Sequence, residues 1–190
     1  MMISALALTL AVGMTAVDEK PLVCPIMGSP VSKDAPRVEY AGTSFGFCCG
    51  GCDTGFGKDP KAALKKNEKS ASPIGEFLFD PVSHKRIKKE QAKGTVDFQG
   101  VRFHFATEEN MKAFQADSKK YAVAPKKESL SCPVMGEAIA TYSAASEYVD
   151  YEGVRYYICC AGCTPAFEKN PAKYAGKAIK DPAVIAQKKA

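Results

Sequence analysis

Hydrophobic and polar positions along this chain fall into short β-like runs around a glycine, each followed by a sparse helical pattern. The stretches "VEYAGTSFGF" (38–47), "VDFQGVRFHF" (96–105) and "VDYEGVRYYI" (149–158) place β-branched and aromatic residues on both sides of a central glycine. That enrichment predicts three β-hairpins. A short helix is expected after each, with Phe56, Phe114 or Phe167 turned inward. A second helical turn is expected at Asp59-Pro60 and Asn170-Pro171, where an Asp or Asn N-cap precedes a proline at the first helical position. Asp117-Ser118 keeps only the cap. Upstream of the hairpins lie three Pro-bearing segments, "VCPIMGSPV" (23–31), "FDPVSHKRI" (79–87) and "SCPVMGEAI" (131–139).

The hairpin-to-helix segments align on each other without a gap, which implies one small unit used three times. The expected fold class is α+β, with three tandem modules over 21–66, 76–124 and 129–176 and a C-terminal tail over 177–190. Polar linkers "KNEKSASPIGE" (66–76) and "APKKES" (124–129), carrying Pro, Ser and Lys, separate them. Each unit is smaller than a hydrophobic core alone usually supports, so it needs a metal, a bridge or a neighbour.

Composition adds bounds. Of 190 residues, 46% are hydrophobic and 25% charged, which reads as globular. The net charge of +5 is spread through linkers and the C-terminal end, and "HKRIKKE" (84–90) reads as a solvated face. No basic stripe is interleaved with aromatics, so nucleic acid is not an expected partner. Residues 3–17 are apolar and uncharged, and Asp18-Glu19-Lys20 follow. This length suits a signal peptide over 1–17 better than a membrane span, although no Lys or Arg precedes it. A buried helix or an uncleaved anchor is the alternative. No other segment is apolar enough to span a bilayer. The expected location is therefore periplasmic or extracellular, where eight cysteines could form four bridges.

The cysteines fall four to a copy: Cys24, Cys48, Cys49 and Cys52 in the first, Cys132, Cys159, Cys160 and Cys163 in the third. The middle copy has Asp80, Ala106, Thr107 and Asn110 at these positions. A turn thiol and a C-x3-C at a strand-to-helix junction make a metal pocket, and a helix N-terminus there is expected to favour thiolates. The candidate ligands are Cys24, Cys48 and Cys52 in one site and Cys132, Cys159 and Cys163 in the other. Additional candidates are Cys49, Cys160, Met27 and Met135; core filling is the expected role for the two methionines. Thiolates suit soft or borderline metals, Cu(I) or Zn(II), at about two per chain, and a Cys3Met set would favour Cu(I).

The segment "CPVMG…VDYEGVRYYICCAGCTPAFEKNPAKY" resembles the YHS domain and the related TRASH domain. The resemblance lies in the turn cysteine, the C-x3-C, the following Phe167 and the closing Pro171 and Tyr174. The middle copy keeps the "DPV" start of a YHS domain without its cysteine, and the outer copies carry a thiol at the Asp position. The resemblance implies small treble-clef-like units and heavy-metal binding, sensing or trafficking, often of copper. It also implies a metal exporter or metal-handling protein as partner.

Two other readings compete. Disulfides such as Cys24–Cys52 would make an exported, metal-free interaction scaffold. Cys49-x-x-Cys52 and Cys160-x-x-Cys163 have the spacing of a thiol–disulfide redox protein, but the βαβ context of one is absent. Asp80 with His84 and His104 could form an oxygen and nitrogen metal site, against which both histidines are expected to face solvent. No Ser/His/Asp set, phosphate loop or HExxH helix is present, so no enzymatic activity is expected.

Overall fold

The computed structural model describes residues 19–186. The leader expected over 1–17 and residues 187–190 of the expected tail lie outside the described residues. The fold is α+β. A first hairpin, β1 (Arg37–Tyr40) and β2 (Thr43–Gly46), leads into α1 (Cys52–Lys58) and α2 (Pro60–Asn67). A short strand β3 (Gly75–Phe77) precedes a second hairpin, β4 (Gly94–Phe98) and β5 (Val101–Phe105), and helices α3 (Glu108–Ala116) and α4 (Ser118–Tyr121). Strand β6 (Lys127–Ser129) precedes the third hairpin, β7 (Glu147–Tyr151) and β8 (Val154–Ile158), then α5 (Cys163–Lys169) and α6 (Pro171–Tyr174). Strand β9 (Ile185–Ala186) follows.

The hairpins close as their sequences predict. Ala41-Gly42, Gln99-Gly100 and Glu152-Gly153 each combine a φ of +49° with a glycine between +75° and +78°. Two positive φ values in a two-residue loop define the turn whose twist matches that of the flanking strands. The second-helix caps also form: the side chains of Asp59, Asp117 and Asn170 accept from the N–H groups of Ala62, Lys120 and Lys173 at 2.9, 3.1 and 3.3 Å.

The linkers do more than separate the hairpins. The end of the first becomes β3, which pairs antiparallel with β2 and parallel with β5. The end of the second becomes β6, parallel to β8. One sheet therefore runs β4-β5-β3-β2-β1-β9, and a smaller one runs β6-β8-β7. Gly75 lies so close beneath Phe45 that a Cβ there would sit 2.7 Å from the ring.

Phe56, Phe114 and Phe167 are fully buried, as expected. Phe56 packs at 4.7 Å on Phe45, Phe114 at 4.9 Å on Phe103, and Phe167 at 5.2 Å on Tyr156, ring centre to ring centre. The first hairpin and its helices form one core; the second and third share another, running from Phe77 and Phe103 to Tyr157 and Cys163. Among the described residues, no helix is long and apolar enough to cross a membrane.

Candidate metal centre

Each turn that carries a first cysteine is closed on itself. Gly28 N–H donates to the Cys24 carbonyl at 2.8 Å, and Cys24 N–H to the Ser29 carbonyl at 2.8 Å. The same two bonds recur at Gly136–Cys132, 2.7 Å, and Cys132–Glu137, 2.8 Å. Gly28 and Gly136 hold φ of +72° and +77°, where a side chain is strained. The first turn is anchored from outside by Asn67, at the end of α2, which donates to the Pro25 carbonyl at 2.9 Å. The hairpin's exit strand then delivers Cys48 beside the turn, and Cys52 opens α1.

The result is two triads. The sulfurs of Cys24, Cys48 and Cys52 lie within 4.8 Å of one another, as do those of Cys132, Cys159 and Cys163. In each, the turn and helix cysteines are buried and the strand-end cysteine is half-buried. Among the described residues, these are the groups of three or more Cys, His, Asp or Glu side chains close enough to share an ion. Buried thiols converging from distant segments suit a soft or borderline metal ion. The two groups are consistent with two metal ions per chain.

The electrostatics differ from expectation. A helix N-terminus was the anticipated source of thiolate character, yet the helix cysteines are the reluctant ones. Cys52 is pushed up to about 12 by its contact with Cys49, by burial and by Cys24. Burial first, then Cys160 and Cys132, raises Cys163. Burial also raises Cys48, and lifts Cys159 to about 11. The turn cysteines go the other way. Burial opposes ionisation of Cys24, but the N–H groups of Cys48, Met27 and Ile26 outweigh it and lower its pKa. Cys132 is lowered in the same manner by Cys159, Met135 and Val134, aided by the Cys159 thiol. The turn thiol is thus favoured as thiolate by the N–H of the strand-end cysteine together with the turn amides. At the helix start, contacts with Cys163 and Cys159, aided by the N–H groups of Gly162 and Cys163, lower Cys160.

The middle hairpin shows what the same cradle holds without thiols. Asp80 is fully buried. Its Oδ1 accepts from the N–H groups of Val82 and Ser83 at 2.9 and 3.1 Å. Its Oδ2 accepts from Ala106 N–H at 2.8 Å and Asn110 Nδ2 at 2.7 Å. These partners stand where Ile26, Met27, Cys48 and Cys52 stand in the first triad. A hydrogen-bonded carboxylate and amide thus join turn to helix where three thiols do so elsewhere.

Residues 78–124 and 137–178 match the family model of the YHS domain. Both segments are similar to the YHS domain. No curated protein and no solved structure matches the chain. The first YHS segment contains Asp80 and its cradle, and the second contains Cys159, Cys160 and Cys163. Cys132 and the whole first triad lie outside the matched residues, so the metal reading of the triads stands on their geometry.

The remaining candidates take varied places. Cys49 and Cys160 are exposed, beside their triads. Met27 and Met135 are 64% and 58% exposed, which corrects the expectation that they fill the core: they ride on protruding turns. All eight cysteines are free thiols. Neither histidine simply faces solvent. His104 is buried, with Nδ1 3.2 Å from Thr95 Oγ1 and Nε2 3.6 Å from Glu76 Oε1. His84 occupies the turn position of Gly28 and Gly136 at a φ of +63° and stacks on Tyr148, 4.4 Å between ring centres. Burial lowers its pKa, which favours the neutral ring.

Proposed function

We propose that this chain is a non-enzymatic metal-handling protein that holds one soft or borderline ion, Cu(I) or Zn(II), on each cysteine triad. It keeps the ion for sequestration or delivery outside the cytosol, with a metal exporter or another metal-handling protein as its exchange partner. The observation that carries this reading is the convergence of three thiols within 4.8 Å in both places. The turn thiol, its pKa lowered, gives up its proton more readily than the other two, and the ion displaces the protons of all three on binding. Partial exposure of Cys48 and Cys159 leaves an approach for exchange, which a closed structural zinc site would not need.

Replacing Cys48 and Cys52 together by serine tests the reading. The variant binds one ion per chain where the wild type binds two, measured by elemental analysis after anaerobic loading and desalting. Unchanged stoichiometry would remove the triads from the account.

A further inference from the structure

Cys49 and Cys160 are not members of the triads, yet both touch them in the same way. The Cys49 sulfur lies 3.2 Å from that of Cys52 and 3.8 Å from that of Cys48. The Cys160 sulfur lies 3.4 Å from that of Cys163. Both are exposed, whereas Cys52 and Cys163 are buried. The spacing occurs once per triad and follows from an adjacent cysteine pair at the end of β2 and again at the end of β8. The repetition in two sites separates it from a chance surface cysteine.

We propose that Cys49 and Cys160 are exchange ligands: the exposed thiols through which each ion is taken up and released. This rests on the metal-handling reading above. A ligand on a surface loop and in sulfur contact with a buried one can trade places with it. The metal–sulfur bond to Cys49 forms as the bond to Cys52 breaks, and the proton leaving Cys49 passes to Cys52. The ion is then held by Cys24, Cys48 and the exposed Cys49, where thiols of the acceptor can bond to it one at a time as Cys24, Cys48 and finally Cys49 let go. Each protein thiolate that lets go gains one proton, and each acceptor thiol that binds loses one. The ion keeps its oxidation state throughout. Cys163 and Cys160 make the same exchange in the second site.

The test compares the full chain with the Cys49→Ser/Cys160→Ser double variant, both loaded with Cu(I) without oxygen. Two quantities are read: ions per chain, and the rate of transfer to excess bathocuproine disulfonate by absorbance. The expected result is two ions on each protein, with transfer from the variant slower by about tenfold or more. Equal rates would overturn the exchange role while leaving the triads as binding sites. Loss of both ions would also overturn it, making these cysteines holding ligands. A wild type that binds no ion would remove the metal reading itself, and this inference with it.

Discussion

At the scale of single residues, Asp80 is the most informative side chain. It is buried and accepts four hydrogen bonds, three from backbone N–H groups and one from Asn110. Removing the carboxylate would strand donors inside the protein, and an unsatisfied buried donor costs about 1–3 kcal/mol. Asp80→Ala is expected to lower unfolding stability by about 3 kcal/mol or more, read from urea denaturation. A loss below about 0.5 kcal/mol would mean the cradle is not structural. The substitution of Cys by Asp at this position was legible in the sequence; its bonding to Asn110 was not, because the pair is 30 residues apart. His104 escaped for a related reason. Alternation with Phe103 and Phe105 suggests a solvent face only where one side of a strand is open. Strand β5 lies between β4 and β3 and is covered on both faces, so Glu76, from a stretch that reads as linker, meets the ring.

At the scale of elements, the unit that matters is turn, hairpin and helix. Glycine turns, aromatic alternation and Asp or Asn caps act through near neighbours, so hairpins and second helices could be read directly from the chain. Strands β3 and β6 could not, because each is three residues long and gains its form from pairing with remote β5 or β8. The thiols and the carboxylate occupy equivalent places on this device, which makes a strong prediction. Asp80→Cys, Ala106→Cys and Asn110→Cys combined should build a third triad and raise binding from two ions per chain to about three, measured by elemental analysis. Binding that stays at two in a folded variant would show that the middle turn is not equivalent to the outer ones.

For the whole molecule, the small units are not left to stand alone. The first two hairpins share a six-stranded sheet through β3, the second and third share a core, and β9 returns the end of the described chain to β1. Neighbours thus supply part of the support that units this small lack. The existence of the cysteine groups was legible from spacing. The turn cysteine and the C-x3-C spacing also pointed to the members of each triad, which the structure brings together. The sulfur contact of the exposed Cys49 with Cys52 and of Cys160 with Cys163 was not legible, since spacing does not fix where a loop side chain turns. Both cysteine triads are proposed to hold metal. The most direct test is metal content with free-thiol titration on the full chain, purified without oxygen from its native compartment. The expected result is about two soft-metal ions per chain and eight thiols recoverable after chelation. Protein that carries no metal and has its thiols locked in disulfides would contradict it.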